Sequence, residues 1–387
     1  MTLLEYRDIY SRNLTESVIP FWLKHSIDHK NGGYFACVDR QGQVYDTRKY
    51  VWMQGRAVWT FCRLYNEWGR NPEYLETARG ILNFLLKHCF DENGRCYFSL
   101  TREGAPVYFQ RKPYSAVFVA LALIEFSKAT GEQEYLDHAK LLFDDICAAI
   151  ADPSLLGRSA LGYSQLADIM VIACLALELN SASPRQIYLD VLTECTQAVW
   201  QHHNPAAQLL MENAAPDNHH FRDSPEGRLV CPGSSLEVSW FLLHALKVVP
   251  DSRTQKMLLN SIAGTLEYGW DKQFGGLYYF MDIEGKPPLA LEANMKLWWP
   301  HTEAIYASIL GYSLTGDHKY KQWLDRLHEY TFRTFVDHEF GEWFGYCDRQ
   351  GNLALGSKGG PYKCIFHVPR CLLFSIQAID QMLATKP

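Results

Sequence analysis

The sequence predicts an all-α toroid, an (α/α)6 barrel of twelve helices with short β-hairpins on one rim, and two observations support this. The first is a repeat: four aromatic-rich segments each end in a turn glycine, namely Gly42, Gly104, Gly285 and Gly351, with steps of 62, 181 and 66 residues. Because 181 is close to three steps of about 60, the chain holds about six units. The second is the spacing of apolar residues by three and four in about two segments per unit, which is typical of helices.

The helical segments fall into two sets. Those that follow the hairpins are predicted to form the inner ring, and they cover 48–68, 113–130, 164–180, 234–249, 298–315 and 363–384. The alternate segments are predicted to form the outer ring, and they cover 3–23, 72–89, 132–150, 184–202, 252–269 and 317–335. An open solenoid is the alternative architecture, but solenoid repeats are usually shorter, about 34–47 residues, and lack such hairpins.

The composition favours one domain that covers 1–387. Hydrophobic residues make up 48% of the chain and aromatic residues 14%, enough for a large core and an aromatic cavity. The net charge of −6 gives no support for nucleic-acid or anionic-membrane binding. Apolar runs stay below the length of a membrane span, about 18 residues, and the N-terminus lacks the layout of a signal peptide. We therefore expect no membrane association.

The cysteines indicate a cytoplasmic protein with reduced thiols. There are eleven of them, scattered without a C-x-x-C pair. This pattern indicates neither a disulfide framework nor a zinc site, and no metal is expected.

Polar residues gather near the N-terminal ends of the predicted inner helices. They are Arg56, Ser234, Glu237, His301, Glu303, His367 and Arg370. Ser234 and His301 are 67 residues apart, and His301 and His367 are 66 apart, one repeat in each case. These three residues are therefore predicted to lie at the same level of three successive inner helices, facing one mouth of the ring.

Such a mouth suits a small sugar. Helix N-termini contribute N–H groups and partial positive charge, which also stabilise a developing oxyanion. Aromatic residues such as Trp298 supply flat walls for the C–H faces of a sugar. Each residue also has a structural alternative: His301 or His367 as a hydrogen-bonded structural group, Arg56 and Glu237 as an ion pair, and Trp298 as part of the core.

Four longer motifs carry a family resemblance. They are LYYFMD (277–282), MKLWWPHTEA (295–304), EFGEWFGY (339–346) and KGGPYKCIFHVPRC (358–371). Through them the chain resembles the N-acylglucosamine 2-epimerase family over almost its whole length. The resemblance implies an (α/α)6 barrel, usually a homodimer, that interconverts the amino sugars N-acetylglucosamine and N-acetylmannosamine. It also implies that no cofactor is required and that ATP is an allosteric activator that is not consumed.

The resemblance implies roles for particular residues. Arg56 matches the family arginine that contacts the sugar oxygen near the reacting carbon, and His367 matches one of two catalytic histidines. Glu303 matches an active-site carboxylate, and Glu292 matches the glutamate of an L-E-W motif, although Ala293 stands here in place of the tryptophan. Together with Glu237, Trp298 and Arg370, these residues form the predicted sugar site.

The chain departs from the family at one catalytic position. The second family histidine lies in an N-P-G-H-x-x-E motif, which reads Cys231-Pro-Gly-Ser234-Ser-Leu-Glu237 here. A serine hydroxyl is not a base at neutral pH unless another group activates it, and losing one general acid–base typically costs about 10²–10⁴-fold in rate.

Several functions remain open from the sequence. His301 could take the missing role, or His367 alone could drive a one-base aldose–ketose isomerisation. The protein could also bind a sugar or a protein without catalysis. A glycoside hydrolase is a further class, and it would need two carboxylates, for which Glu237 and Glu303 are the candidates.

Overall fold

The computed structural model describes residues 1–384 and shows a mainly helical protein. Its helices are α1 (Leu3–Arg12), α2 (Ile19–His25), α3 (Val51–Glu67), α4 (Pro72–His88), α5 (Tyr114–Thr130), α6 (Gln133–Ala151), α7 (Leu166–Ala182), α8 (Gln186–His202), α9 (Asn218–Phe221), α10 (Pro232–Ala245), α11 (Ser252–Gly269), α12 (Trp298–Thr315), α13 (His318–Thr334) and α14 (His367–Ala384). A π-helical stretch, Asn13–Val18, joins α1 to α2.

The strands are short and lie between the helices. They are β1 (Cys37–Val38), β2 (Val44–Asp46), β3 (Lys49–Tyr50), β4 (Ser99–Leu100), β5 (Pro106–Tyr108), β6 (Ser164–Gln165), β7 (His203–Asn204), β8 (Leu209–Leu210), β9 (Asn213–Ala214), β10 (Leu229–Val230), β11 (Met281–Asp282), β12 (Lys296–Leu297), β13 (Tyr346–Cys347) and β14 (Leu353–Leu355). All pairings are antiparallel, in the sheets β1-β2, β3-β4-β5, β6-β9, β7-β8, β10-β11 and β12-β13-β14.

Six helices form the inner ring. Each packs against the next in the order α3, α5, α7, α10, α12 and α14, and each also packs against one outer helix, α4, α6, α8, α11, α13 or α1. Side chains join α14 back to α3, for example through Gln377 Nε2, which donates to Glu67 Oε2 over 2.7 Å. This is the predicted (α/α)6 barrel, and the predicted inner segments are the ones found inside.

The two helix layers differ in burial. Inner helices such as α5 are buried on almost every face, whereas outer helices such as α13 bury one stripe and expose the other. The buried face of the outer ring and the whole inner ring form one continuous apolar core. Three inner helices, α3, α7 and α12, begin directly after a strand, and α10 begins one residue after β10, which places these strands on the rim where the inner helices start.

The predicted turn glycines adopt left-handed backbone conformations. Gly42, Gly104, Gly285 and Gly351 have φ between 74° and 100°, a region that favours glycine. Three of these turns join the hairpins β1-β2, β4-β5 and β13-β14. The turn at Gly285 follows β11, but that strand pairs with β10 instead of forming a local hairpin.

Buried charges join neighbouring repeats around the rim. Each of these groups, which we call rim clasps, combines an aspartate after an outer helix, a fully buried lysine and an arginine from the hairpin of the next repeat. The three clasps are Asp28 with Lys49 and Arg102, Asp271 with Lys296 and Arg349, and Asp337 with Lys358 and Arg40. The third clasp joins the last repeat to the first.

The fourth turn, at Gly285, takes part in no such clasp through its own residues. Ile283 stands where the other turns carry arginine, and the preceding repeat has Asn204 at the aspartate position. Asn204 Oδ1 still accepts the backbone N–H groups of Ala206 and Ala207, as Asp28 Oδ1 accepts those of Lys30 and Asn31. The turn is therefore kept where the charge pair is absent.

A second group of charged residues joins the C-terminal halves of three inner helices, α3, α5 and α7. Arg63 of α3 pairs with Glu125 of α5 and Glu178 of α7, and Lys128 pairs with both glutamates. All eleven cysteines are free. Within residues 1–384, no helix is both long enough and apolar enough to cross a bilayer.

Candidate active site

A cavity of about 680 Å³ opens on the rim where the inner helices begin. Its walls are largely aromatic, and its polar lining comes from the starts of α3, α10 and α14 and from the segment before β12. The lining residues are Trp52, Arg56, Met170, Ser234, Glu237, Tyr279, Glu292, Met295, Leu297, Trp298, Trp299, Tyr346, Leu355, Tyr362 and His367. This volume accommodates a small sugar.

His367 is the first residue of α14, and a carboxylate on the side away from the cavity fixes the orientation of its ring. Its Nδ1 lies 2.8 Å from Glu303 Oε1, so Nδ1 carries the proton that it donates to the carboxylate. That tautomer leaves Nε2 with a free lone pair on the side of the cavity. Burial and the positive charge of Arg370 lower the pKa of His367 well below its usual value. The imidazole is therefore neutral at pH 7 and able to accept a proton.

Arg370 holds the carboxylates around His367 in place. Its Nη2 donates to Glu237 Oε1 and, over 2.8 Å, to Glu303 Oε1. Glu303 Oε2 accepts a further bond of 2.9 Å from Trp240 Nε1. We call Glu237, Glu303, His367 and Arg370 the cavity cluster.

The cavity cluster also bears on metal binding. Ligand atoms of Glu237, Glu303 and His367 lie within 4.8 Å of one another, as they would around a metal ion. However, the guanidinium of Arg370 already bonds to both carboxylates, so the position of a cation in this group is taken. The donor set therefore fits an arginine-bridged carboxylate pair better than a metal.

Arg56 is held by aromatic rings. Its guanidinium carbon lies 4.1 Å from the ring centre of Phe118, 4.6 Å from that of Trp52 and 4.8 Å from that of Phe366. Burial lowers the pKa of Arg56 to about 10, which still leaves it charged at neutral pH. The ion pair of Glu237 is with Arg370, so the alternative of an Arg56–Glu237 pair is wrong.

Three buried donors at the cavity have no hydrogen-bond partner among the described residues. They are Nε of Arg56 and the indole Nε1 atoms of Trp52 and Trp298. Buried donors are normally satisfied, because an unpaired one costs about 1–3 kcal/mol. These atoms are enclosed by the protein and are not exposed to the cavity, so each is a local cost in the packing of the cavity wall.

Ser234 lies in the first turn of α10 and lines the cavity, as predicted. The preceding Gly233 allows close packing, because a Cβ there would lie 2.4 Å from the ring of Trp299. Beside the Ser234 hydroxyl lies the carboxyl group of Glu212, which interacts with it by hydrogen bonding. Burial raises the pKa of Glu212 to about 7.

The prediction that His301 faces the cavity is wrong. Its ring is fully buried, its Nε2 accepts the backbone N–H of Leu277 over 2.9 Å, and its Nδ1 lies 2.6 Å from Leu297 O. Both nitrogens therefore fasten the strand-like segment at Leu277 to α12. This is the structural role that the sequence left as an alternative, and it gives His301 no access to a substrate.

The other predicted residues divide into two groups. Glu237, Glu292 and Trp298 line the cavity beside Arg56, Ser234 and His367. Glu303 and Arg370 lie behind this wall and act on His367, so their predicted contact with substrate is replaced by a positioning role. Glu212 was not predicted; the only signal was an acidic residue between apolar residues in LLMENAA.

Comparisons with known proteins agree with this geometry. The family model of N-acylglucosamine 2-epimerase (GlcNAc 2-epimerase) matches residues 33–371. The N-acylglucosamine 2-epimerase of Bos taurus is 39% identical, covering 99% of this chain and 93% of its own, and that of Homo sapiens is 37% identical, covering 99% and 92%. Cellobiose 2-epimerase from Bacillus thermoamylovorans has the same fold, with a TM-score of 0.84 at 22% identity, over 97% of this chain and 99% of its own.

Proposed function

Because the chain belongs to the N-acylglucosamine 2-epimerase family, we propose that it interconverts N-acyl-D-glucosamine and N-acyl-D-mannosamine. The observation that carries the proposal is the neutral His367, oriented by Glu303 and facing a sugar-sized aromatic cavity next to Arg56. The proposed substrates are N-acetylglucosamine and N-acetylmannosamine, in agreement with the N-acylglucosamine 2-epimerase activity for which the mammalian relatives are named.

The reaction removes the proton at C2 of the open-chain sugar and returns one to the opposite face. His367 Nε2 is the base that takes the proton on one face. The resulting enediolate carries negative charge on the C1 oxygen, and Arg56 is placed to stabilise it. The rings of Trp52 and Trp298 line the cavity and offer flat faces on which the ring carbons of the sugar stack.

The glycoside hydrolase alternative is poorly supported by the geometry. A hydrolase needs two carboxyl groups that flank an open space for the glycosidic oxygen. Here Glu237 and Glu303 accept hydrogen bonds from the same nitrogen of Arg370, and only Glu237 of the two is in the cavity wall.

Incubation with N-acetylmannosamine in D₂O, followed by NMR, tests the proposal. An epimerase gives N-acetylglucosamine that carries deuterium at C2. A ketose product would support the one-base isomerase instead, and the absence of both product and exchange would support a binding protein.

Three further parts of the proposal concern the protein as a whole. The family resemblance supports a homodimer and activation by ATP without consumption, and the free cysteines support a cytoplasmic location. Sedimentation velocity measures the assembly state, and initial rates with and without ATP measure the activation.

A further inference from the structure

Epimerisation needs a proton-transfer group on each face of C2, and the cavity supplies only one obvious base. His367 serves one face, and Ser234 stands where the family resemblance implies a second histidine. A hydroxyl group transfers protons near neutral pH only when another group exchanges its proton. A carboxyl group beside the Ser234 hydroxyl could exchange this proton, and the side chain of Glu212 lies beside it.

The backbone of Glu212 is fixed on two sides. Its N–H donates to Leu229 O over 3.0 Å, and its carbonyl oxygen accepts the N–H of Leu166, the first residue of α7, over 2.8 Å. Its side chain reaches Ser234, and Oε2 is enclosed without a hydrogen-bond partner among the described residues. A buried carboxyl group with an unpartnered oxygen is more costly as a charged carboxylate than as a neutral acid, so burial favours the protonated form.

Ser234 and His367 approach the cavity from different sides. They begin α10 and α14, and α12 lies between these two helices. The indole of Trp299 packs against Gly233 on one side and lies 5.8 Å from the His367 ring on the other. A sugar in the cavity therefore meets the two groups from separate directions.

We propose that Glu212 and Ser234 together form the second acid–base group of the epimerase, with Glu212 as the proton source and the Ser234 hydroxyl as the relay to C2. This inference rests on the proposed function.

The surroundings of Glu212 favour its protonated form. The titratable groups near it are Tyr114 of α5, Cys231 before α10 and Tyr279, and burial raises the pKa of all three so that they are neutral at pH 7. The described residues place no cation against Glu212, and the hydrogen bond from Ser234 only partly opposes the effect of burial. With a pKa of about 7, Glu212 can give or take a proton at physiological pH.

The proton transfers balance as follows. His367 Nε2 takes the C2 proton, and the C–H electrons form the enediolate. The Ser234 O–H then gives its proton to the other face of C2 while the Glu212 carboxyl gives its proton to Ser234 Oγ. The products are an imidazolium, a carboxylate and an unchanged serine. In the reverse direction the Glu212 carboxylate, through Ser234, is the base and the His367 imidazolium is the acid. Proton exchange with solvent returns the enzyme to its starting form.

The test is Glu212→Gln, assayed in D₂O with each epimer separately. We expect epimerisation to fall about 10²–10⁴-fold, while the epimer whose C2 proton faces His367 still exchanges that proton for deuterium without changing configuration. Glu267→Gln, which removes an exposed carboxylate on α11, is the matched control and should behave as wild type.

Ser234→Ala provides an independent variant in case Glu212→Gln does not fold. It should show the same exchange without epimerisation, and the double variant should be no slower than either single variant, because the two residues act in one relay.

The kcat/KM of the wild type should also fall above about pH 7 as Glu212 loses its proton, and this alkaline decline should be absent from the residual activity of Glu212→Gln.

Epimerisation by Glu212→Gln within about threefold of wild type would overturn the inference, because a proton source is worth far more. Loss of exchange from both epimers in a folded variant would overturn it too, since His367 would then have failed as well. A wild-type protein that neither epimerises nor exchanges would instead refute the proposed function itself.

Discussion

The rim clasps and the cavity cluster both pair buried carboxylates with basic side chains, but they differ in which polar atoms they leave without a hydrogen bond. In a clasp, the ammonium of Lys49 donates to Asp28 Oδ2 and to the carbonyl oxygens of Gly32 and Arg102, so all three of its protons are used. At the cavity, His367 keeps Nε2 free and Arg56 keeps Nε unpartnered among the described residues. The clasp therefore uses its charges to hold repeats together, whereas the cavity keeps a neutral ring nitrogen free to act on a substrate.

The two regions should therefore respond differently to mutation. A change in a clasp should lower the free energy of unfolding and leave turnover per folded molecule nearly intact. A change in the cavity cluster should do the reverse.

His367→Asn is expected to have the largest effect. It removes the base at Nε2 and should reduce kcat by about 10²–10⁴-fold, with the far-ultraviolet circular dichroism and the melting temperature close to wild type. His301→Asn is the control, because it should cost stability through its two backbone contacts while kcat per folded molecule stays near wild type. Nearly full activity in His367→Asn would contradict the assignment.

Asp28→Asn should be the most destabilising change on the rim. It leaves the buried ammonium of Lys49 without its carboxylate, and breaking a buried pair in this way costs about 3–5 kcal/mol. Asp91→Asn is the matched control: Asp91 occupies the same turn position, but its ionic partner is the exposed Arg95 of the same turn, a pair worth about 0–1 kcal/mol. Urea denaturation measures both, and equal losses would refute the special role of the clasp.

Glu303→Gln should have an intermediate effect on activity. The amide keeps the size of the side chain but no longer accepts bonds from His367, Arg370 and Trp240 together, so the imidazole loses its fixed tautomer. We expect kcat to fall about 10–100-fold, with a smaller change in KM, the size of effect seen for carboxylates that orient metal-bound histidines. A change confined to KM would show that Glu303 binds the sugar directly.

The pH dependence should give the smallest effect. Burial and Arg370 lower the pKa of His367, and the base is active when neutral. The acidic decline of kcat/KM should therefore have its midpoint below about 6.5, the pKa of an ordinary histidine. Rates between pH 5 and 7, with circular dichroism at each pH to exclude acid unfolding, test this. An acidic midpoint above 6.5 would be inconsistent with the buried, neutral imidazole.

The repeat in the sequence was sufficient to predict the barrel and its inner helices, because each unit supplies its own hairpin and helix signals. It did not predict the clasps, since Arg40 and Asp337 lie 297 residues apart and nothing local marks them as partners. Their pairing depends on which repeats become neighbours when the ring closes.

The misassignment of His301 has a geometrical cause. Ser234 and His367 each lie three residues before the charged residue of their own helix, Glu237 or Arg370, but the residue three before Glu303 is Pro300. His301 is one residue later, and one residue rotates a helix side chain by about 100°. Repeat spacing gives the position of a residue along the axis of the barrel, but it is too coarse to give the direction in which the side chain points.

Glu212 could not be predicted because its role depends on tertiary burial. It lies between β8 and β9, far from the motifs of the inner helices, and the fold removes its carboxyl group from water beside Ser234 and Tyr279. A single acidic residue in a short apolar segment carries no comparable signal.

Closure of the ring by its two ends sets the order in which the protein can be completed during synthesis. Trp22 donates to Glu342, Tyr34 accepts the N–H of Ile365, and Arg40 pairs with Asp337, each across about three hundred residues or more. A ribosome that adds about 5–20 residues per second leaves the first repeat without these partners until nearly the whole chain has emerged. The earliest segment to be made is thus among the last to be finished, and it depends on protection of its apolar surface during that interval.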